Sequence, residues 1–162
     1  WGAVMRREHA VVDRVVARAA AVKAAVVSQD EREAGLRAIL NFGHTFAHAI
    51  EKVSGYGVYT HGEAVATGMR AALHLSRALN PTLSFDRADA LVARIPVPPG
   101  IADLDVEKLT YAMRSDKKVR AGKIRFVVLD RIGHAYATDD VTKAAIRDAW
   151  LYSATPLSYS TE

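Results

Sequence analysis

Between Arg7 and Ser28 the apolar residues fall at helical intervals: Val11, Val12, Val15, Val16, Ala19, Val22, Val26 and Val27. Spacings of three and four residues gather side chains on one side of a 3.6-residue repeat, whereas a strand would alternate in twos. A helix over roughly 7–28 is the direct reading, and the pattern returns along the chain. A polar turn over 28–35 leads to a second helix over 36–53, which Ser54-Gly55-Tyr56-Gly57 breaks. Thr60 followed by Glu63 fits a capping box, so a third helix starts there and runs to about Leu79, before Asn80-Pro81. Its Gly62, Ala64, Ala66, Gly68, Ala71 and Ala72 leave room for a neighbouring backbone. Further helices are predicted over 86–94 and 105–114, separated by the stiff Pro96, Pro98, Pro99, Gly100 segment. Ile124, Phe126, Val127 and Val128 mark a strand over 123–129. Ile132-Gly133 turns the chain, and 134–138 pairs back. Asp139 or Asp140 caps a last helix to about Tyr152. The predicted fold class is mainly α: one multi-helix domain over residues 1–162 with one small β-hairpin.

Composition narrows the chemistry. Cysteine is absent, which excludes disulfides and thiolate catalysis and suits a reducing cytoplasm. Arg14, Arg18 and Lys23 interrupt the valine-alanine run, so nothing approaches the roughly 20 apolar residues of a membrane span, and no secretory signal is visible. The net charge is +4, but the basic residues are dispersed, with no run of five. That favours a small anionic substrate over nucleic acid or a membrane. The chain opens Trp1-Gly2-Ala3 without an initiator Met, which reads as a piece of a longer polypeptide.

The second helix carries the unusual residues. At 100° per residue, with Arg37 at zero, Asn41 falls at about 40°, His44 at about −20° and His48 at about 20°. Ile39, Phe42, Phe46 and Ile50 take the other side. A solvated face is ordinarily Lys, Glu and Gln; Arg, Asn, His, His looks into something polar. Two imidazoles one turn apart reach a common metal or anion. His61 adds to this, because it stands at the first turn of the next helix. The positive end of a helix dipole disfavours imidazolium, and neutral imidazole is the metal-binding form. A short connection makes these helices neighbours, so His44 and His61 are expected to meet at one zinc or similar divalent ion. The third ligand is Glu63, Glu51 or a residue outside the chain. His9, His74 and His134 are weaker candidates. Lys23 and the loop Asp116-Lys117-Lys118 offer cations for an anion pocket.

These blocks resemble a known family. Asp30 to Arg37, then Leu40-Asn41-Phe42-Gly43-His44-Thr45-Phe46-Ala47-His48-Ala49-Ile50-Glu51, then His61-Gly62-Glu63-Ala64-Val65-Ala66 with Gly68-Met69, look like 3-dehydroquinate synthase. Asp116-Lys117-Lys118, Gly122-Lys123-Ile124-Arg125 and Val127-Val128-Leu129 match its later block, and the likeness covers about Lys23 to Tyr152. The resemblance implies the C-terminal helical domain of an NAD- and zinc- (or cobalt-) dependent lyase of the shikimate pathway. That enzyme turns 3-deoxy-D-arabino-heptulosonate 7-phosphate into 3-dehydroquinate and phosphate. His44 and His61 match its metal-binding histidines. Lys23, Arg37, Asn41, His48 and one of Lys117 and Lys118 match substrate-binding positions. It further implies a cytoplasmic homodimer for the full enzyme, with NAD bound mainly by an N-terminal domain. That domain and a glutamate ligand precede this region in the family, and no glycine-rich strand-turn-helix unit stands here. The chain alone is therefore expected neither to bind NAD productively nor to turn over. Ala47 stands where the family usually has Gly.

Three other readings compete. Amino-dehydroquinate and deoxy-inosose synthases share the histidines, but the Arg37–Asn41 pair with Asp116-Lys117-Lys118 favours dehydroquinate synthase. Iron-containing alcohol dehydrogenases have different histidine spacings. A non-catalytic helical assembly domain has no need for such a polar stripe.

Overall fold

The computed structural model describes residues 2–32, 35–82, 84–95, 99–114 and 124–155. The chain forms two compact units, one ending at Leu40 and one starting at Asn41. The first contains α1 (Gly2–Met5), α2 (His9–Gln29) and a 3-10 segment, Leu36–Asn41, whose last residue belongs to the second unit. The predicted valine-rich helix is therefore present. None of its residues is buried, and Val15, Val16 and Val22 are exposed. Asp30 ends α2: its backbone N–H donates to the carbonyls of Val26 and Val27. Its carboxylate then accepts from the backbone N–H groups of Gly35 at 2.8 Å and Arg37 at 2.9 Å, which starts the 3-10 turn.

The second unit contains α3 (His44–Ser54), α4 (His61–Leu79), α5 (Asp86–Val92), a 3-10 turn (Ile101–Asp103), α6 (Val106–Arg114), β1 (Phe126–Arg131), β2 (His134–Thr138) and α7 (Lys143–Ala154). Helix α4 is its centre and packs on α3, α5, α7 and β1. The small residues make this possible: Ala64, Ala66, Gly68, Ala71 and Ala72 are buried. The main core joins Phe46 and Ile50 of α3, Leu75 of α4, Met113 of α6, Phe126 and Val128 of β1, and Ile146 and Trp150 of α7. The Phe46 ring meets Trp150 edge-on with centroids 4.9 Å apart and lies 5.4 Å from Phe126. Such aromatic pairs contribute about 0.5–1.5 kcal/mol beyond area burial.

The hairpin pairs Phe126 with Thr138 and Val128 with Tyr136 in antiparallel register, with an irregularity between Leu129 and Arg131. The end of α4 holds β1: Ser76 Oγ accepts from Leu129 N at 2.9 Å, and Asn80 Nδ2 donates to Leu129 O at 3.2 Å. A polar cluster joins α4, α5 and α7. Arg77 pairs with Asp86 at 2.9 Å and Asp89 at 3.3 Å, Tyr152 donates its hydroxyl to Asp89, and His74 stacks on Tyr152 with centroids 4.6 Å apart. No helix among the described residues is long and apolar enough to cross a membrane.

Two expectations need correction. The predicted continuous helix over 36–53 is interrupted: 3-10 geometry covers Leu36–Asn41, and Gly43 takes φ +80° before α3 begins at His44. A 3-10 segment advances about 120° per residue, so one 100° wheel does not extend back from His44 to Arg37 and Asn41. The last helix is capped by Thr142, whose hydroxyl accepts from Ala145 N at 3.1 Å, because Asp139 to Val141 form a turn first.

Candidate metal centre

Two helix beginnings build the site. Gly43 makes the left-handed turn that releases His44 as the first residue of α3, and a Cβ at Gly43 would lie 2.7 Å from the backbone nitrogen of Met69. Only glycine combines that φ with that closeness. His48 follows one turn later on the same face. His61 opens α4 immediately after its cap. Thr60 Oγ1 accepts from Glu63 N at 3.3 Å, and Glu63 Oε2 accepts from Thr60 N at 2.8 Å and from Thr60 Oγ1 at 2.7 Å. The hydrogen bonds from the Thr60 side chain and then its backbone hold the Glu63 carboxyl below the usual glutamate range. Glu63 is thus engaged in starting the helix, the capping box read from the sequence.

The imidazoles of His44, His48 and His61 converge. Ring centroids are 5.2 Å apart for His44–His61, 5.9 Å for His44–His48 and 6.3 Å for His48–His61. Two imidazoles sharing a tetrahedral ion at roughly 2.0–2.1 Å from each nitrogen place their centroids about 5.2 Å apart. The His44–His61 pair has that spacing, and the other two pairs are wider. Among the described residues no three His, Asp or Glu side chains form a complete ligand set. Two imidazoles with a third donor from elsewhere fit an open site, in which three protein ligands leave one position for a substrate oxygen.

The ring nitrogens are already differentiated. Nδ1 of His61 lies 2.9 Å from Glu51 Oε1, and Nδ1 of His44 lies 3.3 Å from the carbonyl oxygen of Phe42. A carboxylate only accepts, so the Glu51 contact puts the proton of neutral His61 on Nδ1 and leaves the lone pair on Nε2. Glu51 appears in the sequence reading only as an alternative third ligand. Helical spacing places Glu51 on the face of α3 that carries His44 and His48, but its partner His61 comes from the packing of α4 on α3.

The other predicted residues divide by unit. Lys23 is exposed on α2. Arg37 donates from Nη1 to the carbonyl of Glu31 at 2.8 Å within the first unit. Asn41 ends the 3-10 segment, three residues before His44. Lys117 and Lys118 lie outside the described residues. His9 is exposed, His134 pairs with Asp130 at 2.8 Å, and His74 belongs to the Tyr152 cluster. A cavity of about 600 Å³ beside α3 and α6, lined by Lys52, Lys108, Tyr111 and Arg114, includes none of the three converging histidines.

Comparison with known proteins gives the family. Residues 1–119 match the family described as 3-dehydroquinate synthase C-terminal. The chain is 50% identical over 149 residues to the 3-dehydroquinate synthase of Salinibacter ruber, covering 91% of this chain and 41% of that protein. It is 46% identical over 169 residues to that of Chlorobaculum tepidum, covering 95% of this chain and 46% of that protein. The chain thus spans less than half the length of these relatives. Among solved structures, the 2-epi-5-epi-valiolone synthase of Streptomyces hygroscopicus with NAD+ and Zn2+ bound superposes with a TM-score of 0.69 at 26% identity, over 87% of this chain and 39% of that one. A 2-deoxy-scyllo-inosose synthase complexed with carbaglucose-6-phosphate, NAD+ and Co2+ shares the fold, with a TM-score of 0.65 at 22% identity, over 80% of this chain and 39% of that one. With a family match over most of its length and relatives this similar, the chain belongs to the 3-dehydroquinate synthase family, as its C-terminal domain.

Proposed function

We propose that this chain is the metal- and substrate-binding half of a cytoplasmic 3-dehydroquinate synthase, which converts 3-deoxy-D-arabino-heptulosonate 7-phosphate to 3-dehydroquinate and phosphate. The observation that carries the reading is the 5.2 Å approach of the His44 and His61 rings. The 50% identity to a relative of that name, against 26% to the valiolone synthase, favours this substrate over those of other cyclases.

His44 and His61 would hold a zinc or cobalt ion. When bound, the ion supplies Lewis acidity, and NAD+, carried mainly by an N-terminal domain, supplies a reversible hydride acceptor. Lys23, Arg37 and one of Lys117 and Lys118 hold the carboxylate and phosphate of the substrate. Asn41 orients its hydroxyls. His48, beside the metal pair, hydrogen-bonds the phosphate or relays a proton. The work of these residues is positioning and charge stabilisation, which fixed cations do well in a closed pocket. The full enzyme is a homodimer, and this chain alone does not turn over.

Calorimetric titration of the chain with Zn2+ or Co2+ tests the reading. One ion per chain is expected, lost in His44→Ala. A chain that binds neither ion, or is indifferent to that substitution, is a helical assembly domain instead. Phosphate release by the isolated chain with NAD+ and zinc would refute its dependence on another domain.

A further inference from the structure

We propose that Glu51 is a positioning residue of the metal centre, whose carboxylate fixes His61 as the Nδ1–H tautomer and aims Nε2 at the point it shares with His44. The inference rests on the metal-site reading above.

The contact between His61 Nδ1 and Glu51 Oε1 is 2.9 Å, within the range of a charge-assisted bond. An ionised carboxylate has no proton to give, so the hydrogen lies on the imidazole Nδ1. Free imidazole side chains favour the opposite tautomer, with the proton on Nε2. A proton there would turn the nitrogen from a ligand into a hydrogen-bond donor and close the site to a cation.

Burial assigns the direction of control. The Glu51 side chain is 15% exposed and the His61 side chain 56% exposed. Glu51 sits on α3 next to Ala49 and Ile50, both buried in the main core. His61 stands on the first turn of α4, where little packing holds the ring. The anchored group therefore orients the loose one, and it does so from the helix that carries His44. One helix thus supplies one ligand directly and fixes the tautomer of the other. Glu63, the other nearby carboxylate, is engaged by Thr60 and does not take this role.

Long-range 1H–15N correlation spectra of the labelled, metal-free chain at neutral pH read the tautomer, and Zn2+ or Co2+ titration reads affinity. The wild type is expected to show His61 as Nδ1–H. Glu51→Ala should shift it to Nε2–H and weaken metal binding about 10–100-fold, the usual cost of losing such a partner. Glu51→Gln, whose amide oxygen also accepts, should restore the tautomer and most of the affinity, while circular dichroism reports an unchanged fold. A wild-type His61 in the Nε2–H form, or Glu51→Ala binding metal as tightly as wild type, overturns the inference and leaves the metal centre standing. A wild type with Nδ1–H that takes up neither ion overturns the metal-centre reading, and the positioning role with it.

Discussion

A Cβ on Gly68 would stand 2.2 Å from the carbonyl oxygen of Gly43, so α3 and α4 meet backbone to backbone at the turn that launches His44. The same contact sets how far His44 lies from the helix that carries His61. Gly68→Ala must push the two helices apart, since the atom in the way is backbone. The expected loss is about 3 kcal/mol in urea unfolding, at the upper end of overpacking costs. Metal affinity should fall with it, because the 5.2 Å ring spacing widens.

Thr60→Ala removes the cap of α4 and is expected to cost about 1 kcal/mol in chemical denaturation. The effect depends on pH. Glu63 has its carboxyl lowered in the folded chain by its bonds to Thr60. A lowered folded value stabilises above the ordinary glutamate range, and that contribution disappears as pH falls through the folded value. The gap between wild type and Thr60→Ala should therefore shrink on acidification from neutral pH. A constant gap would show that the carboxylate contributes nothing.

His74 gives a second pH dependence. Burial first, and then the charge of Arg77, push its imidazole below the ordinary histidine value, against the pull of Asp148 and Asp89. The unfolded chain then binds a proton more readily than the folded one. Stability from this group is present above the unfolded value and declines as pH falls toward the folded one. Unfolding midpoints measured between pH 7.5 and pH 5, as roughly chosen endpoints around the histidine range, should drop less in His74→Gln than in wild type.

Arg77→Met leaves the buried Asp89 with the Tyr152 hydroxyl but without its cation. Removing one partner of a buried pair costs about 3–5 kcal/mol, and Arg77 is partly solvated, so about 2–3 kcal/mol is expected in thermal or urea unfolding. Arg77→Met combined with Asp89→Asn should recover part of that loss.

The two α3 histidines should separate by function. His44→Ala abolishes tight Zn2+ or Co2+ uptake. His48→Ala leaves it within a few fold, because the His48 ring lies 5.9 Å and 6.3 Å from the other two, beyond the spacing of the His44–His61 pair. Calorimetry on both variants decides this, and equal losses would make His48 a ligand.

Local chemistry in the sequence determined much of this fold. The valine period gave α2, Thr60 and Glu63 gave the start of α4, and Ile132-Gly133 gave the hairpin turn, because each rests on contacts within a few residues. The family was legible too, since the run from Leu40 to Glu51 keeps its residues in order whatever their geometry. The break at Gly43 was not. Leu36–Val53 keeps a helical apolar period, and Gly43 permits a turn at φ +80° without requiring one. At that turn the chain lies close against Met69 and Gly68 of α4, a contact between residues distant in sequence. Tertiary packing also decided that His61 reaches His44 at 5.2 Å and that Glu51 faces the His61 ring. A sequence lists the imidazoles; the crossing of two helices whose backbones touch fixes the distance between them.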